Sequence, residues 1–273
     1  MHPIEESLAR LGQLYQEGRD RLLAQPDDQP GWMSVRQLAD AQGPALAEVI
    51  ERTRKNCPAD QLRPPAMLWF GHYIYPIQLV AMAMFLVEQR VPDLRADSLQ
   101  VRFDEQAGIA GLAWIGRGFM ALPGDPAADH PDCEVVADRD ALREVLRARL
   151  IESFTPVVDA TFAYSRLGRS AMWSTAADYC AYALMWLGEL MGNELIGAQE
   201  SRAFAAVPSL LSLRNDLIAV EHLGETHYMV NRNSCCLYYR TDNGGMCSSC
   251  PHRPLEERVE MVRKHIEEEH AHA

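Results

Sequence analysis

Four of the seven cysteines in this 273-residue chain lie within sixteen positions near its C-terminus, at Cys235, Cys236, Cys247 and Cys250. A Cys-x-x-Cys pair can place two thiolates on one metal ion, and a second pair would complete a tetrahedral zinc site or the ligand set of a [2Fe–2S] cluster. Adjacent side chains on an extended backbone point to opposite sides, so the vicinal pair needs a local kink to bind one ion. The spacing therefore favours an iron–sulfur cluster, and a structural zinc site stays open as the alternative.

The residues around the cysteines fit the same chemistry. The segment 243–245, Asn-Gly-Gly, is a turn sequence that can bring the second cysteine pair back to the first. Arg232, Arg240 and Arg253 flank the cysteines, and Asp242 is the one acidic residue between them. Because a cluster held by four thiolates is anionic, nearby cations offset its charge and tune its potential.

The bulk composition limits the class of protein. Hydrophobic residues make up 48% of the chain, as in a globular protein, and the formal net charge is −12. Nucleic acid is therefore not expected as a partner, because that binding depends on a basic surface. The N-terminal twenty residues lack the apolar core of a secretory signal, which predicts a cytoplasmic protein with reduced thiols rather than a disulfide framework.

The elements that must position the cysteines are mainly helical. Apolar periodicity and capping residues predict an α+β fold, predominantly helical, with a small antiparallel sheet and a C-terminal cluster-binding segment. The predicted helices cover 5–24, 34–55 with a break at Gly43-Pro44, 138–165, 170–191, 198–206 and a final helix opening at Pro254. The predicted strands are two or three within 99–122 and one at 226–233.

Residues 66–87 form an uncharged apolar run of a length that can cross a membrane. Polar side chains and Pro76 interrupt it, and Pro76 disfavours a helical conformation for Tyr75. We therefore expect a buried core segment broken near Pro76. Membrane association stays open but is not favoured, since polar groups within lipid are costly.

The motif Cys-Cys-x10-Cys-x2-Cys near the C-terminus resembles the siderophore ferric-iron reductases of the FhuF type. Arg232, shortly before the vicinal pair, also resembles that family, and the helix 168–184 with Trp173 is similar to a family helix. The resemblance implies a [2Fe–2S] cofactor with four cysteine ligands, which would be Cys235, Cys236, Cys247 and Cys250.

The same resemblance implies an oxidoreductase of iron acquisition. A reduced [2Fe–2S] centre would pass one electron to Fe(III) in a siderophore, and Fe(II) would leave because hard oxygen donors hold it more weakly. Such an electron transfer needs no acid–base side chain, so no catalytic residue is predicted. Residues 1–225, with short strands near 99–122, would form the siderophore-binding core, and residues 226–273 the cluster-binding segment.

Four residues near the cysteines are candidates for binding the substrate. Arg232, Arg240, His227 and Tyr228 could line a siderophore pocket, and each could equally be a packing or surface residue. The acidic net charge favours neutral or cationic hydroxamate complexes over anionic catecholates.

The electron donor is expected to be another protein or a small reductant. The glycines of 108–116 do not follow the G-x-G-x-x-G order of a dinucleotide site. An iron–sulfur electron carrier or redox sensor that serves a protein partner stays the alternative function, and a zinc-stabilised binding protein is a third.

Overall fold

The computed structural model describes residues 1–14 and 22–272, and in these parts the chain has the predicted α+β fold. The helices are α1 (Pro3–Leu14), α2 (Val35–Leu38), α3 (Pro44–Asn56), α4 (Arg63–Ala83), α5 (Arg139–Ser165), α6 (Arg169–Leu190), α7 (Glu194–Ala205) and α8 (Leu255–His272). A π-helical turn, Met84–Glu88, extends α4, and a 3₁₀ turn covers Tyr238–Arg240.

Nine short strands form three small sheets within the described residues. The strands are β1 (Leu22–Leu23), β2 (Trp32–Ser34), β3 (Arg90–Pro92), β4 (Leu99–Phe103), β5 (Ile109–Trp114), β6 (Phe119–Ala121), β7 (Cys133–Val135), β8 (Ile218–His222) and β9 (Glu225–Met229). The sheet order is β1-β5-β4-β2 in the first sheet, β3-β6-β7 in the second, and a β8-β9 hairpin in the third. The pairs β1–β5 and β6–β7 are parallel and the others are antiparallel.

Helix α4 is the centre of the core and packs against α3, α5 and α6. Its residues Trp69, Phe70 and Tyr73 are fully buried, and the Trp69 and Tyr73 rings stack with centroids 5.5 Å apart. Helix α6 lies against α7 at a close crossing, where a Cβ added at Gly197 would lie 2.6 Å from the Leu184 carbonyl oxygen. This helical layer presents α4 and α6 to the C-terminal segment.

Local capping signals predicted several boundaries. Ser34 caps α2 through a capping box with Gln37, and Gly43-Pro44 opens α3 as a new helix. Pro254 immediately precedes α8 as predicted, and Asp138, where apolar periodicity predicted a helix to start, caps α5 by accepting from the Ala141 amide. In each case the signal depends on residues a few positions apart, which the sequence contains in full.

The predicted break at Pro76 is wrong, because α4 runs through it without interruption. Proline removes one backbone donor, but burial of one face of α4 against α6 outweighs that loss. By length and composition alone the span Arg63–Glu88 could cross a membrane, and 67% of its most apolar window is buried inside the protein. Burial of this kind is typical of a core helix.

Other boundaries also differ from the prediction. Helix α1 covers Pro3–Leu14 of the helix predicted over 5–24, residues 15–21 lie outside the described parts, and Leu22–Leu23 is a strand beside β5. Strand β6 pairs with β3 and β7 rather than with β5, so the strands of 99–122 are divided between two sheets. The cause is long-range pairing, which local alternation does not encode.

The C-terminal part was predicted in outline. Strand β9 ends at Met229, earlier than predicted, and its partner β8 was missed. On α8, Ile266 is buried as the apolar stripe predicts, whereas Leu255 is exposed. The hairpin crosses the position proposed to divide residues 1–225 from 226–273, and that division stays a prediction.

Candidate functional site

The backbone kinks immediately after the vicinal cysteine pair. Leu237 has a φ of 60°, in the left-handed region that a leucine rarely adopts, and its amide donates to the Cys235 sulfur at 3.4 Å. The 3₁₀ turn Tyr238–Arg240 follows directly. This is the kind of local kink that the adjacent thiols require if both are to face one site.

The loop between the two cysteine pairs is fastened to the helical core. The Asp242 amide donates to the Pro58 carbonyl at 2.8 Å, and the Asn243 side chain donates to the Asn56 carbonyl at 3.0 Å. Gly244 lies so close to the 3₁₀ turn that an added Cβ would be 1.7 Å from the Tyr238 carbonyl oxygen. The end of α3 therefore holds the loop, and Gly244 folds it back as the Asn-Gly-Gly sequence predicts.

A tight turn and an arginine shape the Cys-x-x-Cys pair. The Cys250 amide donates to the Cys247 carbonyl at 3.1 Å, and Cys250 is buried. Arg253 donates to the carbonyls of Met246 and Cys247, both at 3.0 Å, and forms an ion pair with Glu257. Arg253 thus fixes the turn from the start of α8.

The four thiols act on one another electrostatically, and none of them forms a disulfide. A hydrogen bond with Cys236 lowers the pKa of Cys235 to about 7, while a charge on Cys250 acts to raise it. A hydrogen bond with Cys236 and burial raise the pKa of Cys247. The two cysteine pairs, which come from separate parts of the loop, therefore lie within electrostatic range of each other.

Behind the vicinal pair lies a buried polar network. Ser234 donates to the Asp178 carboxylate from its amide at 2.9 Å and also from its hydroxyl. The Arg232 Nε atom is 3.9 Å from the same carboxylate. Burial raises the pKa of the Asp178 carboxyl, and the hydrogen bonds from Ser234 act in the opposite direction. Asp178 on α6 thereby attaches the cysteine segment to the helical layer.

The surroundings of Arg232 indicate whether an anionic group fits next to the vicinal cysteines. Its side chain is buried beside Tyr179 and within electrostatic range of Cys236, and its Nη2 group has no hydrogen-bond partner among the described residues. A buried, unpaired N–H of a cation is costly, and an anionic cluster on the four sulfurs would offset that cost. The donor set and this cation therefore fit a thiolate-bound iron–sulfur cluster.

A cavity of about 1040 Å³ adjoins the cysteine segment. Its walls come from α4, α6, β9, α8 and the turn between β4 and β5, together with Ser248 and Ser249 from the Cys-x-x-Cys turn. The aromatic residues that line it are Tyr75, Tyr179, Tyr182, Trp186 and Tyr228. Gly71 leaves room for one of them, because a Cβ there would lie 2.9 Å from the Tyr179 hydroxyl.

The four residues considered for substrate binding lie in different surroundings. Tyr228 lines the cavity. His227 pairs with Glu194 at 2.9 Å, and Arg240 is exposed and bonds to the Tyr239 hydroxyl at 3.0 Å. Arg232 lies behind Tyr179 rather than among the residues of the cavity wall.

Sequence reasoning missed several residues of the site. Asp178 is an isolated charge in the middle of the apolar helix α6, and that charge is the local signal that could have identified it. Arg258 lines the cavity and is buried, yet it follows Glu256 and Glu257 like an ordinary surface residue of a charged helix. No local pattern marks the tyrosines of α6 as a cavity wall.

Four neighbouring cysteines next to a large aromatic cavity are the arrangement expected of a redox protein. Residues 67–215, more than half of the chain, match the family model described as ferric iron reductase FhuF-like transporter. Residues 232–252 match the FhuF 2Fe-2S C-terminal domain. The chain therefore belongs to the FhuF-like ferric iron reductase family and carries a [2Fe–2S] cluster, which confirms the predicted family and cofactor. A search among curated proteins found no match.

Proposed function

We propose that this protein reduces Fe(III) held by a siderophore, and that Cys235, Cys236, Cys247 and Cys250 hold its cluster. One observation carries the proposal: the cavity wall includes Ser248 and Ser249, which lie between the last two cysteines. A ligand in the cavity would therefore contact the turn that holds the cluster. When bound, the [2Fe–2S] cluster supplies the single electron that converts Fe(III) to Fe(II).

The cavity suits a bulky chelate. Its volume of about 1040 Å³ is at the upper end of the range for small-molecule sites, and its wall is mainly aromatic and apolar. Burial raises the pKa of Tyr179 and Tyr182, so both hydroxyls stay protonated at neutral pH. They can then donate hydrogen bonds to the oxygen atoms of a siderophore.

The preferred substrates are ferric hydroxamates. A ferric trihydroxamate centre has no net charge, whereas a ferric triscatecholate carries three negative charges that the acidic protein repels. After reduction, hard oxygen donors hold Fe(II) more weakly than Fe(III), and the ion leaves. The step needs no proton-transferring side chain, so we assign no acid–base residue.

The proposed setting is the cytoplasm, with electrons delivered by another protein or a small reductant. Clustered cysteines without a disulfide are typical of a reducing compartment, and the chain lacks a G-x-G-x-x-G fingerprint, which supports an external donor. We assign no identity to this donor.

A single-turnover experiment tests the proposal. The anaerobically reduced protein, freed of excess reductant, is mixed with the ferric complex of desferrioxamine B and a ferrous chelator. We expect about one Fe(II) per cluster to be trapped, because a [2Fe–2S] centre stores one electron. The Cys250→Ser variant should lose its iron and sulfide and release only background Fe(II).

Cys133→Ser is the matched control, because Cys133 is a partly buried cysteine on β7, outside the cysteine segment. It should keep full iron content and full Fe(II) release. A protein with an intact cluster that reduces a partner protein but never the ferric complex would be an electron carrier, and the proposal would then fail.

A further inference from the structure

Arg258, the fourth residue of α8, places a buried guanidinium in the cavity wall. Its exposed fraction is 8%, and it is among the residues that line the cavity. Its Nη2 group donates to the Asn231 side-chain oxygen at 3.3 Å. Its Nε and Nη1 groups are buried and have no hydrogen-bond partner.

A buried guanidinium with unpaired N–H groups would be stabilised by an anion. Each buried donor without a partner costs about 1–3 kcal/mol, and a buried charge without a counter-charge costs more. Within the described parts of the chain, Arg258 has no carboxylate partner. Nη1 and Nη2 form one of the planar forks that bind carboxylates in a bidentate manner, and Nη2 carries a second N–H beside the one that Asn231 accepts.

The other cations of the cavity wall differ from Arg258. Lys264 has a side chain that is 75% exposed and lies 3.8 Å from Glu268, so solvent and a neighbour already stabilise its charge. The wall also contains tyrosines, whose hydroxyls donate single hydrogen bonds, and the acidic residues Asp104, Glu189 and Glu268, which would repel a carboxylate placed next to them. Arg258 is thus the buried position where a negative group of a ligand would gain most.

We propose that Arg258 binds a free carboxylate carried by the siderophore, so that the cavity prefers ferric hydroxamate complexes with one carboxylate side arm. The inference rests on the proposed function, because it assumes that the siderophore occupies this cavity. It adds a substrate feature: a neutral iron-chelating centre together with one peripheral negative charge.

The acidic net charge does not conflict with this preference. Long-range repulsion between exposed charges is screened beyond about 10 Å at moderate ionic strength. A desolvated, hydrogen-bonded contact is screened much less and depends on the local partner. One carboxylate at Arg258 is therefore compatible with an overall acidic protein.

Three ligands that share one chelating group test the proposal. They are the Ga(III) complexes of desferrioxamine B, its N-acetyl derivative and its N-succinyl derivative, whose side arms are positive, neutral and negative. Ga(III) is not reduced, so calorimetry on the oxidised holoprotein measures binding alone. We expect the succinyl complex to bind about tenfold more tightly than the acetyl complex, as for a charge-assisted hydrogen bond.

Arg258→Met should abolish this preference and leave the affinity for the acetyl complex within about twofold of wild type, as expected for a preserved apolar stem. Arg263→Met is the matched control on α8, because Arg263 is partly exposed, pairs with Glu260 and is not part of the cavity wall. It should keep the tenfold preference. If Arg258→Met does not fold, Arg258→Lys, which keeps the charge but loses the fork, should retain only part of the preference.

Each contrary outcome has a distinct meaning. Equal binding of the acetyl and succinyl complexes by the wild-type protein overturns the carboxylate subsite but leaves the proposed function intact. A preference that survives in Arg258→Met also overturns it. Free succinate binding as tightly as the succinyl complex would indicate an independent anion site and overturn it. Failure of all three complexes to bind would overturn both the subsite and the use of this cavity for siderophores.

Discussion

Two buried arginines near the cysteines keep N–H groups without a partner, and their surroundings assign them different roles. Arg232 faces Cys236 and the tyrosines of α6, whereas Arg258 faces the cavity. The first is therefore placed to offset the charge of a cluster held by the four cysteines, and the second is placed to meet charge on a ligand. Both arguments depend on burial, since an exposed guanidinium would be satisfied by water.

Replacing Arg232 should change the reduction potential of the protein. In Arg232→Gln we expect a lower midpoint potential, because a nearby cation stabilises the more negative reduced state. A redox titration followed by visible absorbance measures this, alongside iron and sulfide content to confirm that the cluster is present.

Arg240→Gln is the matched control, because Arg240 lies in the same segment but is exposed. Solvent screens its charge, so its potential should stay close to that of the wild type. An unchanged potential in Arg232→Gln with a full cluster would contradict the assigned role.

At the scale of elements, the cysteine loop depends on an exact fit against the 3₁₀ turn and the end of α3. Gly244 is required because the Tyr238 carbonyl and the Thr241 hydroxyl occupy the space where a side chain would begin. The neighbouring Gly245 has no atom within 4 Å of such a position. The two glycines therefore have unequal roles, although they are adjacent.

Gly244→Ala should destabilise the loop and reduce the cluster content, because the added methyl group forces the loop away from Tyr238. Overpacking of this kind typically costs about 1–3 kcal/mol. Iron and sulfide per chain, together with the loss of visible absorbance on heating, measure the effect.

Gly245→Ala is the control and should match the wild type in both measurements. Equal cluster content and equal thermal stability for the two variants would show that the loop does not need the close approach at Gly244.

Helix α4 illustrates how packing overrides a local signal. Pro76 removes one hydrogen bond, yet neighbouring residues such as Tyr73 and Ile77 are fully buried and hold the helix in place. The continuous helix carries His72, Tyr75 and Pro76 to the cavity wall. A break at Pro76 would have changed the shape of that wall.

At the scale of the whole molecule, the net charge of −12 sets a long-range field that acts on any charged complex. The screening length falls from about 30 Å at low salt to about 3 Å at high salt. The preference of the whole surface for complexes of one charge over another should therefore depend on ionic strength. The short-range contact of a ligand with Arg258 should depend on it much less.

A salt titration tests this field. The Ga(III) complex of a triscatecholate siderophore, which carries three negative charges, should bind several-fold more tightly as salt is raised, because screening weakens the repulsion. The neutral Ga(III) complex of N-acetyl desferrioxamine B is the control and should bind with the same affinity throughout. Tighter binding of the trianionic complex at low salt would contradict a repulsive surface.

The sequence by itself determined the family, the cofactor and several helix boundaries of this protein. The four cysteines and the Asn-Gly-Gly turn lie within one short segment, and caps such as Ser34 and Asp138 act over three residues. All the residues that form such a motif or cap lie within a few positions of one another, so the local sequence is enough to predict it.

Only the tertiary structure decided how the core holds the cysteines and what surrounds them. Asp178 meets Ser234 across 56 residues, and Asn243 meets Asn56 across 187. The cavity likewise forms where α4, α6, β9 and α8 converge, and that convergence makes Arg258 buried rather than exposed. The burial of a side chain and its contacts with residues far away in the sequence arise from packing. No local pattern of residue types specifies that packing.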